Sequence, residues 1–148
     1  MRMEQLSVLL VEDDEVDRMA VRRALREHGI DAQLVEARDG QEALDIISGN
    51  SETAPPPAPY FILLDLNMPR VNGIDFLHCL RGEGTAGPAR DAIVFVLTTS
   101  QSRSDIQAAY RCGISGYFVK SDYDQSLRSI VELMSAFQTA AEFPEADA

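Results

Sequence analysis

Basic residues are scarce in this sequence, 13 against 24 acidic ones, for a formal charge of −11. A surface that negative repels phosphate backbones and anionic headgroups, so direct binding to nucleic acid or to a membrane is not expected. Cysteine is scarcer still. Cys79 and Cys112 stand far apart with no CxxC pair, which leaves little support for a disulfide framework or a zinc site and favours reduced, partly buried thiols. Long apolar runs are also missing. The first one holds only about five residues before the carboxylates at Glu12 begin, too short for a signal peptide or a membrane span. A cytoplasmic protein is expected. The two histidines, His28 and His78, lie in helical segments and read as surface or packing residues.

What the chain does have is a regular alternation. With 148 residues, 45% of them hydrophobic, it can bury the core of one ordinary domain. Short apolar runs recur at Val8–Val11, Phe61–Leu64, Ile93–Leu97 and Tyr117–Val119, with a weaker one at Gln33–Ala37. Strands buried on both faces read this way. Between them, positions such as Leu127, Ile130, Val131 and Met134 keep the spacing of one helix face. Gly29 and Gly113 suit left-handed helix ends, and Asp39, Ser104 and Asp124 suit helix starts. The spacing predicts strands near 7–11, 32–37, 60–65, 92–98 and 116–119. Helices are predicted near 15–28, 40–48, 73–81, 103–112 and 123–137. Five such units call for a doubly wound α/β fold with a parallel sheet. Ser48–Pro59, with prolines at 55, 56, 57 and 59, and Gly82–Asp91 read as surface loops.

In an open parallel sheet, ligands bind beyond the carboxyl ends of the strands. Those ends are polar here: Glu12, Asp13 and Asp14 after the first strand, Asp65 after the third, Thr98 and Thr99 at the fourth, Lys120 at the fifth. Neighbouring first and third strands would bring Asp13 and Asp65 together, and carboxylates about 5 Å apart repel by about 3 kcal/mol at an effective dielectric near ~20. A shared proton is one remedy. Several oxygens at a crevice mouth suit a hard cation such as Mg²⁺ better. A carboxylate can also attack phosphorus when positive charge and hydrogen-bond donors meet the phosphoryl oxygens, and Lys120 and Thr98 supply such groups. Taken singly, each residue is an ordinary turn, cap or surface residue; their placement on four strand ends is not.

With these motifs in order, the sequence closely resembles the response-regulator receiver family of two-component systems. LLVEDDE matches the acidic first strand end, FILLDLNMPRVNG the phosphoacceptor segment, VFVLTTS the hydroxyl-bearing strand and GYFVK the aromatic-then-lysine strand. The likeness runs from about Leu6 to about Phe137, essentially the whole chain. It implies a flavodoxin-like receiver fold with strand order 2-1-3-4-5, formed by one receiver domain over 1–148 whose acidic tail, 138–148, carries no output domain. It implies Asp65 as phosphoacceptor and Asp13 as chief Mg²⁺ ligand. Glu12 would act through water, Asn67 through its backbone carbonyl, and Asp14 would lie outside the metal shell. Thr98 and Lys120 would bind phosphoryl oxygens, and Tyr117 would turn inward when Thr98 shifts. The donor would be a histidine kinase, and the chain a switch whose own chemistry is limited to self-phosphorylation and slow self-dephosphorylation.

One departure stands out. Most receivers follow this lysine with proline, whereas here Ser121 and Asp122 follow Lys120. With TTS after the fourth strand and the insertion before the third, the ending resembles the small regulators that partner phytochrome-type kinases. Members of that group tend to form homodimers through the face built by the last two helices and the strand between them. Leu133, Phe137 and Tyr123 could serve such a partner as well as the core. Three rival readings remain. An aspartyl-nucleophile phosphatase would need a second acid two residues on, where Asn67 stands. A flavin or nucleotide carrier would need a glycine-rich loop after strand one. A receiver-like adaptor indifferent to phosphorylation would be compatible with the altered loop at Ser121.

Overall fold

The computed structural model describes residues 1–85 and 87–145. Five parallel strands, β1 (Leu6–Val11), β2 (Ala32–Ala37), β3 (Phe61–Leu64), β4 (Ile93–Thr98) and β5 (Gly116–Val119), form one sheet in the order β2-β1-β3-β4-β5. The helices are α1 (Glu15–Glu27), α2 (Gly40–Ser48), α3 (Gly73–Leu80), α4 (Gly87–Arg90), α5 (Arg103–Arg111) and α6 (Tyr123–Ala140). Strand order reverses between β1 and β3, so their carboxyl ends open a crevice.

The apolar runs carry no polar alternation because both faces are covered. Leu9, Val11, Ile62, Leu64, Val94 and Val96 pack under α2, α3 and α5. Leu10, Phe61, Leu63, Phe95 and Leu97 pack under α1 and α6, where Leu127, Ile130, Val131 and Met134 form the expected stripe. The weaker run became the edge strand β2, half open to solvent.

Four local expectations need correction. Within Gly82–Asp91, read as a loop, residues 87–90 form one helical turn that buries Ala89 in the core. Helix α5 is capped by Ser102, not Ser104, because the Ser102 hydroxyl accepts from the Asp105 amide, three residues on. Helix α6 is capped by Asp122, not Asp124: Lys120–Asp122 close as a 3-10 turn and the helix starts at Tyr123. That helix also runs three residues past 137, and the segment beyond it is anchored to the start of the chain. Phe143 is buried, its amide donates to the Met1 carbonyl at 2.7 Å, and the Met1 ammonium donates back at 2.8 Å. The last three tail residues lie outside the described ones.

Asp39 does cap α2, accepting from the Glu42 amide at 2.8 Å. It also receives two bonds from Arg70, at 3.0 and 2.8 Å. Arg70 holds a left-handed backbone, φ 64, in the loop after β3, so this pair fixes the loop leaving the candidate site. Burial alone would raise the Asp39 carboxyl, but Arg70 and the helix amides outweigh it and hold it below its ordinary range. A depressed carboxyl stabilises the fold above its unfolded pKa, and that contribution is lost as pH falls through the folded value. Asp39→Ala should therefore cost about 1 kcal/mol in urea unfolding at neutral pH. The gap to wild type should shrink below about pH 4; a gap independent of pH would contradict this reading.

Candidate functional site

The strand ends converge as the sequence requires. Backbone bonds from Glu12 to Ala37 and from Asp65 to Val11, both 3.0 Å, carry the sheet ladder one residue past β1 and β3. Both residues sit in the crevice, Glu12 3% and Asp65 7% exposed, with Asp13 open at its rim. Carboxylate oxygens of Glu12, Asp13 and Asp65 lie within 4.8 Å of one another, the one such cluster among the described residues. Asp14 turns away and caps α1, accepting from the Val16 and Asp17 amides.

Lys120 reaches in from the end of β5. Its ammonium donates to Glu12 Oε1 at 2.6 Å, Asp17 Oδ2 at 2.7 Å and Asp65 Oδ2 at 3.3 Å. The other Asp65 oxygen accepts from the Asn67 amide at 3.2 Å. Glu12 Oε2 is buried with no partner. Burial, then the neighbouring Asp65 and Asp17, pushes the Glu12 carboxyl up to about 10 although Lys120 pulls the other way. Burial opposes the charge on Lys120, but Asp17 and Glu12 outweigh it and raise its pKa.

Thr98 is fully buried at the end of β4, and its hydroxyl oxygen accepts from the Ser100 amide at 3.4 Å. Its own O–H is free to donate elsewhere. Tyr117 packs against the core and donates its hydroxyl to the Ser100 carbonyl at 2.9 Å. Across the mouth, the Asn67 side-chain amide donates to the Thr99 hydroxyl at 3.1 Å. Glu12, Asp13, Asp65, Asn67 and Lys120 thus meet at one crevice, while Thr98 and Tyr117 stand on β4 and β5 and are joined to each other through Ser100.

Two neighbours escape a reading of strand ends alone. Asp17 stands one helical turn beyond Asp13, a spacing that puts it beside the acidic strand end once α1 begins at Glu15. Arg18, 8% exposed, ties the Glu12 carbonyl from below at 2.7 Å. A compositional signal was there for the lysine: twelve of the 13 basic residues are arginine, and Lys120 is the only lysine. Of the three residues that could serve a partner as well as the core, Tyr123 and Phe137 pack against the core. Tyr123 donates to the Asp17 carbonyl at 3.2 Å and Phe137 packs on Phe61 and Phe95, so both serve the interior; Leu133 stays 41% exposed. Cys112 is buried as expected, but Cys79 is exposed, and both thiols are free.

This constellation can be set against known families. The response regulator receiver domain family matches residues 8–132. The chain belongs to that family. It is the receiver domain of a two-component response regulator, and its relatives include phytochrome-associated ones. The response regulator Rcp1 of Synechocystis sp. is 34% identical over 131 residues, 88% of this chain and 86% of that protein. The Mn²⁺-bound form of Rcp1 superposes with a TM-score of 0.77 at 30% identity, covering 95% of this chain and 99% of that one. The regulator RPA3017, in red light signalling of R. palustris, gives 0.78 at 31% identity with the same coverage. The phosphorylated cyanobacterial phytochrome response regulator RcpA gives 0.76 at 27%, again covering 95% and 99%. No helix of the described receiver is long and apolar enough to cross a membrane.

Proposed function

We propose that this receiver is a phosphoacceptor switch in the cytoplasm: Asp65 takes a phosphoryl group from the phosphohistidine of a phytochrome-type histidine kinase, with Mg²⁺ held by Asp13, Asp65, Glu12 through water, and the Asn67 carbonyl. The observation that carries this reading is the Asp65 carboxylate itself, buried in an acid cluster yet reached by the ammonium of Lys120. The donor set fits a hard divalent cation, since it is all oxygen and leaves one buried carboxylate oxygen of Glu12 without a partner. When bound, Mg²⁺ supplies the positive charge that offsets these carboxylates and the phosphoryl oxygens.

The chain's own residues do the rest. An Asp65 oxygen attacks phosphorus, the P–N bond to the kinase imidazole breaks, and its electron pair returns to the ring. Lys120 and the Thr98 hydroxyl donate to phosphoryl oxygens as charge develops there. Thr98 moving toward the phosphate pulls on Ser100, and Tyr117, bonded to the Ser100 carbonyl, turns inward with it. The new charge is thereby read out on the face of α5, β5 and α6. Lys120 within 3.3 Å of Asp65 favours this reading over the phosphate-indifferent adaptor, because the Ser121 loop leaves the lysine at the site.

Acetyl phosphate with Mg²⁺ should add one phosphoryl group to wild type, by intact mass, and none to Asp65→Asn or to wild type in EDTA. Phosphate on the Asn variant would sink the proposal. The same face, where Tyr110 and Leu133 are exposed, is proposed to pair two copies. Sedimentation velocity with and without beryllofluoride should show a homodimer; a monomer under both conditions would remove that part.

A further inference from the structure

Lys120 is held by more than the residues that bind phosphate and cation. An ammonium has three N–H groups on a flexible four-carbon stem, so two short bonds fix where the third points. Here the two short bonds go to Glu12 at 2.6 Å and to Asp17 at 2.7 Å, while the third, at 3.3 Å, runs to Asp65. Asp17 takes no part in the carboxylate cluster of Glu12, Asp13 and Asp65. Its side chain meets the lysine from the first turn of α1, a turn fixed by the Asp14 cap. The turn is also tied to α6, because Tyr123 donates to the Asp17 carbonyl at 3.2 Å, and the Tyr123 ring lies 5.8 Å from the ammonium. The lysine thus sits in a clamp built from the starts of α1 and α6. The clamp surrounds the segment where Ser121 gives the backbone none of the rigidity that proline would.

We propose that Asp17 is a positioning residue for phosphoryl transfer, which aims the third N–H of Lys120 at the reacting Asp65 carboxylate. The proposal rests on the phosphoacceptor reading of Asp65. The Asp17 carboxylate touches neither the phosphoryl group nor the cation; it acts through the ammonium. An amide oxygen at this position could still accept the lysine's hydrogen bond, whereas a methyl group could not.

The test uses the full chain as wild type, Asp17→Ala and Asp17→Asn. Asp17→Ala should take phosphate from acetyl phosphate about tenfold more slowly, as expected for a displaced catalytic group, with Mg²⁺ affinity changed by less than about twofold. Asp17→Asn should recover most of the rate. Independently, ¹⁵N-lysine labelling gives a single side-chain signal, because Lys120 is the only lysine. In cation-free protein at low temperature, that ammonium should be visible in slow exchange in wild type and Asp17→Asn, and lost in Asp17→Ala. A rate in Asp17→Ala equal to or above wild type overturns the proposal. So does an unchanged ammonium signal in Asp17→Ala, or an Asn variant as slow as the Ala variant. If wild type takes no phosphate at all, the phosphoacceptor reading fails, and the ammonium signal alone decides whether the clamp exists.

Discussion

Lys120→Met should lower the rate of phosphorylation by acetyl phosphate about 10²-fold, since it deletes a preorganised cation aimed at the developing charge. The side chain is 9% exposed and meets three carboxylates, so water replaces it poorly. Arginine is no substitute: its planar fork needs more width than a point charge does, and Lys120→Arg should stay at least about tenfold slow. The same change should destabilise the fold. Removing one member of a buried ion cluster costs about 3–5 kcal/mol when the partners stay charged. Burial alone would raise the Asp17 carboxyl, but Glu12 and Lys120 outweigh it and hold it below its ordinary range, and without Lys120 that stabilisation shrinks. A depressed carboxyl stabilises the fold above its unfolded pKa, and the contribution is lost as pH falls through the folded value. The stability gap between wild type and Lys120→Met should therefore hold from about pH 8 to about pH 5 and narrow below about pH 4. A wild-type phosphorylation rate in the Met variant would contradict the role given to the ammonium.

Phe61→Ala should be the most destabilising change in the core, at about 3–5 kcal/mol. Phe61 is fully buried and pairs in register with Val8 and Ile93. Its ring meets Phe95 at 6.0 Å, Phe137 at 5.7 Å and Phe143 at 6.2 Å. Phe95 and Phe137 cannot collapse into the gap without leaving β4 or α6. The thermal midpoint should fall by about 10 °C or more for a chain of this size. Phe143→Ala should cost only about 1–2 kcal/mol, because the segment near the chain's end can relax. The two should couple by about 0.5–1.5 kcal/mol in a double-mutant cycle monitored by urea unfolding. Strict additivity would mean that the tail does not pack on the sheet.

The fold is legible in the sequence because the central strands β1, β3 and β4 are buried on both faces and the longer helices keep one apolar stripe, signals that survive without tertiary information. Less legible are features that depend on where a chain end lands. Phe143 reads as part of an acidic tail, since nothing local says that it returns to β3. Helix caps shift by two residues at Ser102 and Asp122 because several small polar residues stand side by side there and only backbone geometry selects one. In the site, Asn67 and Tyr117 follow only from the resemblance to receivers, whereas Glu12, Asp13, Asp65, Thr98 and Lys120 can be read from strand ends. Asp17 cannot, because its place beside Lys120 depends on how the first turn of α1 meets the start of α6. Tyr123 illustrates the converse: an aromatic on a last helix could face a partner or the interior, and the bond to Asp17 decides.

Phosphate should land on Asp65 and nowhere else. Brief phosphorylation with acetyl phosphate and Mg²⁺, reduction of the acyl phosphate by borohydride, and peptide sequencing by mass spectrometry would locate it. Homoserine should replace aspartate at position 65 alone, and the signal should vanish when Mg²⁺ is chelated. Reduction at Asp13, or an intact Asp65 in protein that has taken up phosphate, would contradict the assignment.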